Sequence, residues 1–267
     1  MAEVKVQKIT YAGWSNCLQI TNSVVDLIVT TDVGPRIIRY GFLGHDNEMC
    51  EIKSTMGLSG GDEWRIYGGH RLWHSPEDRI RTYSPDNTAV TILHRLTNTN
   101  RSPVELSAWS ISAMAPGGKE VVPQTHKDTG LLPNRVMSLW PYSRLNDSRV
   151  YFGGKYIILR QDPQIMQPFK FGISNEQGWA VYFNRDHLFV KYYRHDPKAV
   201  YPDFGVSYET YTNDSMLEME TLSPLTRLGP FASIEHEEKW ELFDNVQMPD
   251  DEVELERVLT GIINIAT

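Results

Sequence analysis

The chain is poor in cysteine, in basic charge and in long apolar runs, and each shortage removes a class of protein. Two cysteines in 267 residues, Cys17 and Cys50, are too few for a disulfide framework, so reduced thiols are expected. A net charge of −8, with Lys and Arg scattered singly or in pairs, offers no basic field to a phosphate backbone or an anionic lipid surface. Neither nucleic acid nor membrane is an expected partner. No stretch approaches the ~20 apolar residues that span a bilayer. The opening Met1-Ala-Glu-Val-Lys-Val-Gln-Lys alternates charged and apolar residues and builds no apolar leader block, which predicts a cytoplasmic protein. Internal repeats, Gly/Ser linkers and composition shifts are missing as well, so residues 1–267 read as a single domain.

What is present is a succession of short β-branched and aromatic runs broken by Gly, Pro, Asn and Asp, the pattern of antiparallel sheets. Strands are expected at Val24–Thr31, Arg36–Phe42, Ala89–Thr97, Val104–Met114, Tyr156–Arg160, Trp179–Phe183, Leu188–Tyr193, Ser207–Thr212, Met216–Leu222 and Ser233–Phe243. So many strands imply two packed sheets. Asn98-Thr-Asn-Arg-Ser-Pro103 and Asn175-Glu-Gln-Gly178 carry turn chemistry and predict local hairpins. Helix is expected only at the end, where Pro249-Asp-Asp-Glu252 supplies Pro and acids to a first turn ahead of Val253, Leu255, Val258, Leu259 and Ile262.

Chemistry concentrates in the segment from Gly68 to Arg81, read as a loop, where His70, Arg71, Trp73, His74, Glu77, Asp78, Arg79 and Arg81 follow a Gly pair. The glycines permit a tight turn or a close approach, Trp73 offers a flat apolar face, and the ionisable groups can bond hydroxyls in forks. A purely structural ion-pair cluster would use the same residues. A metal site of His70, His74 and Glu77 is a third option, but Gly68, Gly69 and Pro76 argue against the regular helix it needs, so neither metal nor other cofactor is expected.

A second cluster, Leu217-Glu-Met-Glu-Thr-Leu-Ser-Pro224, puts Glu218 and Glu220 ~7 Å apart on one strand face, close enough to raise one carboxyl pKa if buried. A solvated sheet face fits the spacing equally. In Tyr201–Tyr211, Asp203 and Glu209 stand among aromatics as a possible sugar surface, with Phe204 and Tyr208 read as core. Lys170 and Lys191 lie beside aromatics and are open to either a site or a snorkelling role.

Several strings together resemble the galactose mutarotase-like superfamily. Val33-Gly-Pro-Arg-Ile-Ile-Arg-Tyr40 with Gly44-His-Asp-Asn-Glu48 is similar to its opening strand pair, and Leu96-Thr-Asn-Thr-Asn-Arg-Ser-Pro-Val-Glu-Leu106 to its Thr-Asn hairpin. Glu220-Thr-Leu-Ser-Pro224, Leu228-Gly-Pro-Phe-Ala-Ser233 and Trp240-Glu-Leu-Phe243 resemble its glutamate strand and closing turn. Gly68–Trp73 and Leu139–Tyr142 are similar to strings of a bacterial branch of that superfamily.

The resemblance implies an antiparallel β-supersandwich, here with a short C-terminal helix, that holds a small-molecule sugar or oligosaccharide and acts as a sugar epimerase. Family chemistry pairs a glutamate base with a histidine acid. Glu220 matches the glutamate. The histidine's usual place reads Ala113-Met-Ala-Pro-Gly-Gly118, so His70, His74 or His126 is expected to replace it. Arg71, Glu77, Arg79, Trp140, Lys170, Asp203 and Glu218 are the expected substrate contacts. A uronate or polysaccharide lyase on the same scaffold, and a sugar-binding protein without turnover, are the alternatives.

Overall fold

The computed structural model describes residues 4–34, 36–61, 63–75 and 93–263, with the backbone alone at 74 and 75. Its strands are β1 Lys5–Tyr11, β2 Trp14–Thr21, β3 Val25–Thr30, β4 Arg36–Phe42, β5 Gly69–Ser75, β6 Leu93–Thr97, β7 Val104–Met114, β8 Lys119–Pro123 and β9 Met137–Leu139. They continue as β10 Val150–Phe152, β11 Tyr156–Arg160, β12 Phe169–Ile173, β13 Trp179–Asn184, β14 His187–Tyr193, β15 Tyr208–Thr212, β16 Leu217–Leu222, β17 Thr226–Leu228 and β18 Ser233–Phe243. A single turn, α1 Pro202–Gly205, and a C-terminal helix, α2 Glu252–Ile262, are the helical segments among the described residues. The fold is all-β and its strand pairs are antiparallel, as the run-and-turn pattern requires.

Two sheets form. One has eleven strands in the order β1-β2-β3-β4-β5-β7-β16-β15-β12-β9, with β17 also on β7; the other has seven, β10-β11-β8-β13-β14-β18-β6. Alternation decides what lies between them. Ile37, Met114, Phe169, Phe171, Leu217 and Met219 from the first sheet pack on Val122, Ile157, Phe189 and Trp240 from the second. Each fully buried side chain of this size contributes ~1.5–3 kcal/mol by leaving water.

The outer face of the second sheet is covered by α2, whose Leu255 and Leu259 pack on Val121, Val181, Leu188 and Val190. Asp251 caps the helix, its Oδ1 accepting from the amides of Val253 and Glu254 at 3.0 and 2.9 Å. Val253 is exposed, because it falls in the first turn on the side away from Leu255 and Leu259. No helix among the described residues is long and apolar enough to cross a membrane.

The two expected hairpins are crossovers instead. β6 belongs to the seven-stranded sheet and β7 to the eleven-stranded one, and the same separation holds for β12 and β13. Turn residues dictate reversal of the chain but not which edge receives it. At the first crossover Asn98 Nδ2 donates to the carbonyls of Ser102, Leu228 and Gly229 at 3.0, 3.1 and 3.1 Å, tying the connection to the chain before β18.

Residues 69–75 form a central strand, not the expected loop. A strand covered on both faces need not show a polar and an apolar side, so its mixture of imidazole, guanidinium and indole hid its period of two. The Gly pair is demanded by close approach. Gly69 has φ +66°, and a Cβ there would lie 2.4 Å from the Ile37 carbonyl oxygen; at Gly68, φ +76°, it would lie 2.0 Å from that of Cys50. Cys17 and Cys50 are both buried free thiols.

Candidate functional site

Strands β5, β7, β16, β15 and β12 run side by side, and their register builds two polar rungs on the face turned away from the second sheet. Arg71 stands opposite Ile111, Ile111 opposite Glu220, Glu220 opposite Glu209, and Glu209 opposite Gly172. On the adjoining rung Gly69, Ala113, Glu218, Tyr211 and Lys170 follow in the same way. Each is two residues from its neighbour on the same strand, so all these side chains share one face.

Lys170 joins the rungs. Its Nζ donates to Glu220 Oε2 at 2.7 Å and lies 2.8 Å from Glu209 Oε2, while Trp109 Nε1 donates to the same Glu220 oxygen at 2.6 Å. Gly172 makes room for this, since a Cβ there would lie 3.2 Å from Glu209 Cγ. The ammonium is also held between two indoles, 4.7 Å from the Trp109 ring centre and 4.6 Å from that of Trp140. Beside it, Arg71 Nη2 donates to Glu218 Oε1 at 2.9 Å, with its guanidinium 4.3 Å from the Trp73 ring.

Burial sets the electrostatics. Two carboxylates share one ammonium, so Glu209 and Glu220 cannot both be fully compensated. Burial pushes the Glu209 carboxyl well above its usual range and Glu220 upward too, with Lys170 opposing in both cases. Burial works against the Lys170 charge, but the carboxylates of Glu220 and Glu209 outweigh it and hold the ammonium above its ordinary range. Oε1 of Glu220 and Oε1 of Glu209 have no hydrogen-bond partner among the described residues. The arrangement can therefore hold one proton on a carboxyl while the other carboxylate stays a base.

Above this floor opens a cavity of ≈ 400 Å³. Four of the chain's seven tryptophans, Trp64, Trp73, Trp109 and Trp140, line it together with Tyr142, Tyr211, Arg71, Lys170 and Glu218. Glu220 and Glu209 sit one layer below, reached through Lys170.

Among the residues expected from sequence, Glu220, Glu218, Arg71, Lys170 and Trp140 are thus brought together. Others are not. His70 is on the wrong face: the register pairs it with Ser112, and its Nε2 meets His94 Nε2 at 3.1 Å between the sheets. Burial holds His70 well below the usual imidazole range, so it is neutral and remote from the cleft. His74 stands opposite Ala108 in the ladder, and its side chain lies outside the described residues, as do Glu77 and Arg79. Asp203 is in α1 at φ 52°, its carbonyl accepting from Ser138 Oγ at 2.6 Å, and it does not line the cavity. Phe204, expected in the core, is 93% exposed at the next position, because a left-handed turn throws it outward, whereas Tyr208 is fully buried as expected.

Trp109, Trp64, Tyr142 and the pairing of Glu209 with Lys170 were not picked out from sequence. Trp109 carried one usable signal, its place two residues before Ile111 in a run already read as a strand.

No family model and no curated protein matches the chain. Among solved structures it is similar to a TPR-domain containing protein from Parabacteroides distasonis, at 10% identity and a TM-score of 0.49, over 88% of this chain and 49% of that one. The chain thus spans about half the length of that protein. It is also similar to the Slr1438 protein from Synechocystis sp. PCC 6803, at 9% identity and a TM-score of 0.44, over 88% of this chain and 99% of that one.

Proposed function

We propose that this chain is a cytoplasmic carbohydrate-handling protein, a sugar epimerase of the galactose mutarotase-like kind, whose cleft takes one sugar ring between indole walls. The observation that carries this reading is Lys170, which reaches from the Trp109 and Trp140 rings to the buried Glu220 and Glu209. Sugar rings present C–H faces that stack on indoles, and hydroxyls that bond charged groups at the edges. Arg71 and Glu218, paired at 2.9 Å, supply those edges.

In this reading Glu220 is the base one step removed: as the ring C–O bond breaks, Lys170 passes a proton to Glu220 across their 2.7 Å contact and takes the proton of the anomeric hydroxyl in its place. The ring oxygen takes a proton from Lys170, which is replenished from the Glu209 carboxyl across their 2.8 Å contact. Rotation about the neighbouring C–C bond and the reverse transfers then give the other anomer. Lys170 takes, in this reading, the acid role that the resemblance gives to a histidine.

Binding without turnover is the second reading, favoured by the complete burial of Glu220 beneath Lys170 and Trp109. One experiment separates the two. A panel of aldoses is mixed with the protein and anomer interconversion is followed by NMR exchange spectroscopy, with binding measured calorimetrically in parallel. Accelerated exchange that drops ~10²–10⁴-fold in Glu220→Gln supports the epimerase. Binding with no acceleration gives the second reading, and absence of both rejects carbohydrate as the ligand.

A further inference from the structure

On the opposite face of the same sheet, under the cleft, three potential metal donors converge from three strands. His70 comes from β5 in the eleven-stranded sheet; His94 from β6 and Glu238 from β18 belong to the seven-stranded one. Their relative exposures are 0, 1 and 0%. None of them serves the proposed sugar chemistry.

Their spacing discriminates between hydrogen bonding and coordination. His70 Nε2 and His94 Nε2 are 3.1 Å apart, and Glu238 Oε2 lies 3.7 and 3.6 Å from them. The last two distances are too long for hydrogen bonds. They are normal edges of a coordination polyhedron. A triangle with sides of 3.1, 3.6 and 3.7 Å has its centre about 2.0 Å from each corner, the length of Zn–N and Zn–O bonds (about 2.0–2.2 Å). Ser110 Oγ lies 3.3 Å from His70 Nε2 and 3.2 Å from His94 Nε2, close to the ~3.3 Å edge of a tetrahedron with such bonds.

The surroundings orient two of the three donors as the shell around a metal does, while His94 Nδ1 has no hydrogen-bond partner among the described residues. His70 Nδ1 meets Ser112 Oγ at 2.7 Å, and donation there leaves the Nε2 lone pair directed at the centre. Glu238 Oε1 accepts from Lys191 Nζ at 3.1 Å and from Thr221 Oγ1, and Oε2 accepts from Trp240 Nε1 at 3.1 Å, which fixes the carboxylate plane. Without an ion, the two Nε2 atoms can satisfy each other at 3.1 Å or accept from Ser110, but Glu238 Oε2 receives nothing from either ring.

We propose that His70, His94 and Glu238, with the Ser110 hydroxyl on the fourth side, bind one divalent transition-metal ion of the zinc type that fastens the two sheets beneath the cleft. Two imidazoles and a single carboxylate select zinc, cobalt or nickel over calcium or magnesium, which require more oxygen ligands. The expectation of no metal rested on His70, His74 and Glu77, all from one segment; these donors come from three separate strands, two of them in the other sheet. The site does not depend on the sugar reading.

The test is a metal titration of the untagged full chain after chelator stripping and dialysis. Zn²⁺ and Co²⁺ are added, retained metal is counted by mass spectrometry after desalting, and the cobalt visible spectrum and thermal midpoint are recorded. Retention of one ion per chain, a tetrahedral cobalt spectrum and a raised midpoint are expected. Folded His94→Gln and Glu238→Gln should lose the ion, while His236→Gln, whose ring bonds Thr221 instead, should keep it. No retention by folded wild type overturns the proposal, as does undiminished retention by either ligand variant. If both ligand variants fail to fold, X-ray absorption of the zinc-loaded wild type decides: two imidazoles with oxygen at about 2.0 Å supports the site, and sulfur or an imidazole-free shell overturns it.

Discussion

Lys170 and Glu220 meet at 2.7 Å although their strands, β12 and β16, are not neighbours. β15 runs between them and adds Glu209 to the same ammonium at 2.8 Å. The lysine therefore reaches across one strand to a second carboxylate, and removing it is not equivalent to removing either partner.

Lys170→Met leaves two buried carboxylates without a cation and should cost ~3–5 kcal/mol, the usual penalty for an uncompensated buried charge. Glu220→Gln keeps the pair of Lys170 with Glu209 and should cost no more than about half of that. Urea unfolding at pH 7 measures both. Equal losses, or the reverse order, would contradict the shared ammonium.

Glu120 gives a pH signature of its own. It accepts from the Tyr208 hydroxyl at 2.5 Å, and burial raises its carboxyl from 4.5 to about 8. A carboxyl raised in the fold holds its proton more tightly there than in the unfolded chain. Its stabilising contribution is therefore complete below about 4.5 and is lost as pH rises through about 8. Glu120→Gln keeps an acceptor for Tyr208 and removes the titration. The stability difference between variant and wild type should shift in favour of the variant from pH 5 to pH 8, and a constant difference would refute the assignment.

Gly69→Ala tests the close approach of β5 to β4. With φ +66° and the Ile37 oxygen 2.4 Å from the new Cβ, backbone strain and steric overlap act together. A loss of at least ~2 kcal/mol in denaturant unfolding is expected. Gly130→Ala is the control: φ is similar at +67° but nothing lies within 4 Å of its Cβ, so strain acts alone and the loss should be clearly smaller.

Trp140→Ala removes one wall of the cleft and one of the two rings flanking Lys170. The residue lies outside the inter-sheet core, so far-UV circular dichroism should be unchanged. Calorimetric affinity for whichever sugar binds should fall about tenfold, the loss of one stacking partner. Unchanged affinity would separate the indole wall from binding.

Asp251→Ala removes the cap of α2, leaving the Val253 and Glu254 amides without their acceptor. A cost of ~1 kcal/mol is expected in thermal or denaturant unfolding.

Much of the fold was legible because β-branched and aromatic runs end at turn residues, and β18 also alternates buried and exposed positions. Arg36–Phe42, Val104–Met114, Tyr156–Arg160 and Ser233–Phe243 run where these signals put them. The terminal helix begins just after its Pro-Asp-Asp signal, as local capping chemistry requires. β1, β2, β8 and β12 were not among the expected strands, and the three-residue strands β9, β10 and β17 were too brief to show a period.

Residue type and a period of two, which are local properties of the chain, were enough for the all-β class, the helix at the C-terminus and the candidacy of Glu218, Glu220, Lys170 and Arg71, while Trp140 entered through the resemblance alone. Because Gly68–Arg81 reads as a loop, the opposite facing of His70 and Arg71, adjacent on β5, was not legible. Only the tertiary structure decided which face belongs to which chemistry. β5 is covered on both sides, so nothing local distinguishes the face that looks into the cleft from the face that looks into the core. The register with β7 sends Arg71 to Glu218 and His70 to His94. The meeting of Lys170, Glu209 and Glu220 from three strands, and of His70, His94 and Glu238 from two sheets, is set by pairings between residues as far as 168 positions apart, from His70 to Glu238. No local periodicity encodes those pairings, because they are fixed by which strands become neighbours when the apolar faces of the two sheets close on each other.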